Sequence, residues 1–245
     1  MSRSAWYIGC GEEDVGEAAL LTGDRARIDR IANHLEDARI LPENRGLRTV
    51  TGMRRGKRIT ATAFGMGGPI AAIVLHELFD LGVKTFVRIG TAMAMPPARL
   101  GDLLLADGAF SNDGTSRTYA PAGYPAVADF DLGVALRASL GGRALDWQAG
   151  LFGTYDGFYT ESFALDPSEA RSIGETRGEA KRLRLIATDM ETATLLTVGR
   201  MLGARAASLC LATVDGLTQD KLDAETLAAR EADMFEVALD AVSAA

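Results

Sequence analysis

The stretch IAAIVLHELFDLGVKTFVRIGT, residues 70–91, decides the fold. Residues 70–82 form an apolar run too long for an ordinary strand, and Gly82 is a helix stop. Residues 84–91, KTFVRIGT, are short and apolar with an arginine inside, which predicts a buried strand that breaks at Gly90. A helix leading into a buried strand is the repeating unit of an α/β protein.

The same alternation continues on both sides. AALLTGD (18–24) predicts a strand and turn, followed by a helix over 25–37. LRTVTG (47–52) and KRITATAF (57–64) predict paired strands around Arg54-Arg55-Gly56, and GMGGP (65–69) a tight turn. DLLLADGAF (102–110) and WQAGLFGTYD (147–156) predict strands, with a helix over 129–142 capped by Asp129 between them. METATLLTVGRMLG (190–203) predicts a helix stopped by Gly203, AASLCLATVDG (206–216) a buried strand, and 224–245 an amphipathic helix. The segment 160–183, rich in charge and glycine, is expected to be a long mobile loop. The whole, residues 1–245, is expected to be a single domain with a mostly parallel sheet and helices on both faces.

Composition narrows the function. The chain has 245 residues, 47% of them hydrophobic, and a net charge of −7, which argues against nucleic acid as a partner. No apolar run reaches the length of a membrane span, and two cysteines are too few for a disulfide framework, so a cytoplasmic protein is expected. His34 and His76 lie in helical segments without metal-ligand spacing, so no metal is expected. The segment GMGGP lacks the full dinucleotide-binding spacing and reads only as a turn.

Ligands of open α/β sheets sit beyond the carboxyl ends of strands. Gly23, Asp24 and Arg27 follow the first strand, Arg88 and Thr91 lie at the end of another, and Asp215 closes the strand 206–214. Arg88, inside a buried strand, needs an anionic partner, either a protein carboxylate such as Asp24 or Asp189 or a bound anion. Asp189 and Glu191 flank Met190 ahead of an apolar helix, where the simplest role is capping and completing the helix dipole. Asp215 before Gly216 equally suits a turn.

These segments together resemble one family. LLTGDRARIDRIA (20–32) is similar to the opening of nucleoside phosphorylases of the uridine phosphorylase and hexameric purine nucleoside phosphorylase type. RGLRTVTG, GMGGPIAAIVLHEL, FVRIGT, LGDLLLADGAF, YPAVADFD, GFY, DMETATLL and VDG follow in the family's order and spacing. The resemblance implies a three-layer α/β sandwich around a mixed, partly barrel-like sheet. It also implies a pentosyltransferase that needs no cofactor and uses inorganic phosphate as co-substrate. The partners it implies are nucleoside, phosphate and further copies of the chain, in hexamers built from dimers that share sites.

By the same resemblance Gly23, Arg27, Arg88 and Thr91 bind phosphate, joined by Arg45 from a neighbouring subunit. Met190 and Glu191 hold the ribose, and Tyr7 stands nearest to a histidine that the family lends to the sugar's 5′ end. Phe158 and Tyr159 stack on the base, beside Asp189 and Met93. Arg88 and Asp215 are the candidate catalytic residues, Asp215 as the acid that protonates a leaving purine. Asp189 stands where the family usually has glutamate, and Met93 where it usually has a glycine against the base. Uridine-specific members carry Gln and Arg after the aromatic pair, whereas Ser162 and Ala164 occupy those positions here. The expected activity is phosphate-dependent cleavage of a purine nucleoside to free base and ribose 1-phosphate. The alternatives are a uridine phosphorylase, a hydrolytic nucleosidase of the same superfamily, suggested by YIGCGEEDV (7–15), and a non-catalytic binding protein.

Overall fold

In a computed structural model, which describes residues 3–166 and 170–244, strands and helices alternate along most of the chain. β1 (Ala18–Thr22) leads to α1 (Ala26–Ala32), and β2 (Glu36–Ile40), β3 (Thr49–Arg54) and β4 (Lys57–Ala63) follow. α2 (Gly68–Asp80) precedes β5 (Thr85–Ala94), β6 (Leu103–Asn112), the short α3 (Gly114–Tyr119) and β7 (Ala126–Val127). Then come α4 (Phe130–Gly141), β8 (Trp147–Tyr155), a π-helical turn at Phe158–Ser162 and α5 (Ala170–Arg182). β9 (Ala187–Asp189), α6 (Thr192–Leu202), β10 (Arg205–Asp215) and α7 (Ala224–Ala244) complete the order.

The sheet runs β10-β6-β8-β9-β5-β1-β4-β3-β2, and a further pairing of β10 with β5 closes the first five strands into a barrel. The pairing is mixed rather than mostly parallel. β1 lies parallel to β4 and β5, and β10 parallel to β5, whereas β3–β4, β5–β9 and β6–β10 are antiparallel. Closure follows from the length of β5. Its first residues, Thr85–Arg88, pair with β1, and its last, Met93 and Ala94, pair with β9. Between these pairings, Ile89–Ala92 have no strand partner on that edge among the described residues, and the sheet splits there. Gly90 therefore does not end the strand. It marks the fork.

Strand alternation sorts the side chains into layers. Leu20 and Val87 face α1, α4 and α7 in one cluster, while Ala19, Leu21 and Phe86 face α2 and α6 in another. The barrel interior is filled largely by small residues, among them Ala92, Ala94, Ala106, Ala187 and Ala212, as a narrow five-stranded closure demands. Asp129 caps α4 as expected, its carboxylate accepting from the Leu132 N–H.

Two other expectations are corrected. The predicted helix 25–37 stops at Ala32, and Glu36–Ile40 form an exposed edge strand against β3. The predicted loop 160–183 contains the end of the π turn and a full helix, Ala170–Arg182; residues 167–169 lie outside the described residues.

Candidate active site

The parallel strands β1, β4 and β5 deliver their carboxyl ends to the fork in β5, and a cavity of about 710 Å³ opens there. Gly23 and Arg27 reach it from the turn after β1 and the start of α1, and Gly65 and Met66 from the turn after β4. Arg88, Thr91 and Met93 come from β5. Asp189, Met190 and Glu191 come from the end of β9, and Phe158 and Tyr159 from the π turn. One cavity thus collects the sequence-based site residues with the exception of Tyr7, Arg45 and Asp215.

Arg88 organises the floor. Its side chain is 5% exposed and lies between two carboxylates, with Nη2 2.5 Å from Glu191 Oε2 and Nη1 3.2 Å from Asp189 Oδ2. Nη1 also donates to Cys210 Sγ, while Nε is buried without a hydrogen-bond partner among the described residues. Gly90 is required beneath this guanidinium: a Cβ there would lie 2.4 Å from Arg88 Nη1. Burial opposes the charge on Arg88, but the carboxylates of Asp189 and Glu191 outweigh it and raise its pKa. Burial pushes the Cys210 thiol up, so the sulfur is a neutral acceptor and the carboxylates carry the compensating charge. Of the two partners left open by the sequence, the structure shows protein carboxylates, Asp189 and Glu191, against Arg88. Asp24 is engaged elsewhere, with Arg30.

Glu191 is fixed from its other side as well. Its Oε1 accepts from the Gly67 N–H at 2.6 Å, where Gly67 opens α2 with a φ of +98°. A side chain other than glycine would be strained in that left-handed region, and an anion suits the amino end of a helix. The turn GMGGP therefore contributes a backbone donor to the site.

Asp189 is placed differently from its predicted contact with a base. Its side chain has no exposed surface. One carboxylate oxygen accepts from Thr154 Oγ1 at 2.8 Å, the other from Thr192 Oγ1 at 2.6 Å, and the Thr192 N–H donates to both. Only the backbone of Asp189 is left to face the cavity, so its carboxylate supports Arg88 and the start of α6. The helix-start role read from the sequence is in part what this carboxylate performs.

Arg27 is also paired, its Nε donating to Glu231 of α7 at 2.7 Å, and Arg30 joins the same carboxylate. Sequence reading missed Glu231, though a signal existed. It lies on the buried stripe of α7 with Met234, Phe235 and Ala238, where a carboxylate needs a partner. Thr154, Ser208 and Cys210, which complete the network under Arg88, carry no local signal.

Tyr7 and Arg45 sit together outside the cavity lining. The Arg45 guanidinium carbon lies 5.1 Å from the Tyr7 ring centroid, and Asn44 donates to the Tyr7 carbonyl. Asp215 is one residue beyond the lining residue Val214, and its Oδ1 accepts from the Leu217 and Thr218 N–H groups at 2.8 Å. The turn role read from the sequence describes this carboxylate. Among the described residues, no group of three or more His, Cys, Asp or Glu could hold a metal ion, and no helix is long and apolar enough to cross a membrane.

The family model described as the phosphorylase superfamily matches residues 17–243. A uridine phosphorylase of Thermococcus kodakarensis is 33% identical over 221 residues, covering 88% of this chain and 79% of the relative. A guanosine phosphorylase of Halorubrum lacusprofundi is 35% identical over 206 residues, covering 84% and 80%. A uridine phosphorylase of Escherichia coli is 30% identical across 98% of both chains. The chain belongs to the phosphorylase superfamily.

Proposed function

We propose that this protein is a nucleoside phosphorylase that cleaves the N-glycosidic bond of a purine nucleoside with inorganic phosphate, giving free base and ribose 1-phosphate. The observation that carries the reading is the shared cavity. It combines an anion-binding set, Gly23, Arg27, Arg88 and Thr91, with a fixed acceptor, Glu191, and the aromatic pair Phe158 and Tyr159. Breaking the bond develops positive charge on the ribose and negative charge on the base. A phosphate held beside the sugar stabilises the first charge and then captures C1′, so catalysis rests on positioning and electrostatics. The unpartnered Nε of Arg88 offers such an anion a donor that the protein itself does not use.

In this reading Glu191, held by Gly67 and Arg88, accepts hydrogen bonds from ribose hydroxyls, and Met190 packs against the sugar. Phe158 and Tyr159 stack on the base. Asp215 serves as the acid for a purine leaving group once its carboxylate is released from the Leu217–Thr218 turn. Ser162, which lines the cavity, and Ala164 supply neither the carboxamide nor the guanidinium of uridine-specific relatives, and this favours purine. The relatives named uridine phosphorylase support uridine as the second reading.

The exposed Arg45 lies over the half-buried Tyr7 ring outside the cavity lining, which supports their serving the cavity of a neighbouring copy in a dimer-based hexamer. The test is release of base from inosine, guanosine, uridine and adenosine, with and without phosphate. Phosphate-dependent cleavage with purine preferred is the expected result. Phosphate-independent cleavage replaces the reading with a hydrolase.

A further inference from the structure

The base end of the cavity has a neighbour. A recess of about 10 Å³ adjoins it and shares Met93, Ser162 and Thr188 with the main cavity. Its far wall includes Arg177 of α5, within the segment 160–183 whose composition predicts a loop. Arg177 Nε is buried and, among the described residues, has no hydrogen-bond partner. The recess itself holds at most about one water, since a single water needs roughly 10–15 Å³. A dehydrated guanidinium N–H without an acceptor is costly, and its natural remedy is a ligand oxygen.

The side chains shared by the recess and the main cavity leave room for adjustment. Met93, which lines both spaces, has an unbranched thioether side chain that changes rotamer readily. Ser162 is small and polar. A base stacked on Phe158 or Tyr159 with its edge toward Met93 therefore points that edge at Arg177. A guanidinium donates and never accepts, so it pairs with a ring carbonyl and opposes an exocyclic amino group.

Resting on the phosphorylase reading, we infer that Arg177 is a specificity-determining residue that donates to a carbonyl on the nucleobase, selecting oxo-bases such as hypoxanthine, guanine or uracil over adenine and cytosine. Met93 is the side chain that moves to admit the contact. The guanidinium comes from a different element than the π turn carrying Ser162.

The experiment measures kcat/KM of the wild-type protein, Arg177→Ala and Arg177→Lys for inosine, uridine, adenosine and cytidine, with KM for phosphate as control. Loss of a hydrogen bond from a charged donor predicts that Arg177→Ala lowers kcat/KM for the oxo-base substrate roughly ten- to a hundredfold. The amino-base substrates and KM for phosphate should change by less than about threefold, since neither uses that bond. Arg177→Lys, which keeps the charge without the planar fork, should fall between and also serves where the alanine variant does not fold. A loss confined to inosine assigns the carbonyl to a purine, and one confined to uridine assigns it to a pyrimidine; either supports the inference. An oxo-to-amino ratio unchanged in both variants overturns the role of Arg177 alone. No cleavage of any nucleoside by the wild-type protein overturns the phosphorylase reading and this inference with it.

Discussion

Replacing Arg88 by methionine removes the cation from beneath two buried carboxylates while keeping much of the side-chain volume. The three side chains are 5%, 0% and 7% exposed for Arg88, Asp189 and Glu191, so water cannot take over the lost partner. Removing one member of a buried pair costs about 3–5 kcal/mol, mostly by stranding the charge left behind. For a chain of this size each kcal/mol moves Tm by roughly 2–4 °C, so a drop of about 6–20 °C is expected. Differential scanning calorimetry at neutral pH reads it directly. Asp189 keeps its Thr154 and Thr192 hydrogen bonds and Glu191 its Gly67 bond, which places the loss inside that range rather than above it. The same variant should lose phosphate protection: in the wild-type protein, phosphate at a hundred times its Kd adds about 2.7 kcal/mol of stability. An Arg88→Met protein with Tm within about 2 °C of wild type would refute the idea that this guanidinium neutralises the floor of the cavity. Lower Tm with phosphate protection intact would leave the ion pairs standing and reject Arg88 as a phosphate ligand.

Three further outcomes are expected. Met93→Gly enlarges the cavity and should widen the range of bases accepted; an identical substrate profile would show that Met93 does not bound the base. Asp215→Asn should slow cleavage of purine nucleosides far more than cleavage of nucleosides with an activated leaving group, and equal slowing of both would remove it as the acid. Asp113 tests the acid limit of stability. Burial pushes its carboxyl up, but hydrogen bonds from the Ser116 N–H and from the Ser111 and Thr194 hydroxyls outweigh burial and hold it below the usual carboxylate range. A depressed folded-state pKa gives stability that is present above the unfolded value, about 3.9, and is lost as pH falls through the lower folded value. Asp113→Asn should therefore lower Tm at neutral pH and flatten its fall below about pH 4. Parallel curves for variant and wild type would contradict this.

The sequence made the strand–helix alternation legible because β1, β5 and β10 are buried on both faces and read as continuous apolar runs. Glu36–Ile40 was not legible, since all five residues of this edge strand are exposed and no apolar alternation marks them. The barrel was hidden for another reason. Its closure depends on β5 and β10 each pairing with several strands, a matter of three-dimensional register that no local pattern encodes. Residues that line the cavity were marked in the sequence by a strand end or a family motif, as at Gly23, Arg88 and Met190–Glu191. Their buried partners were not. Glu231 meets Arg27 from 204 residues away, and Thr154 meets Asp189 from 35. Arg177 sits in a segment whose polar composition suggested a loop, and only packing of α5 against the π turn brings it to the recess beside the cavity.

Phosphorus NMR of a reaction containing inosine and inorganic phosphate tests the central claim most directly. Ribose 1-phosphate is expected in equal amount to the hypoxanthine released, and neither forms when phosphate is left out. Hypoxanthine appearing with free ribose and an unchanged phosphate signal would contradict it, because the cavity would then be delivering water, not phosphate, to C1′.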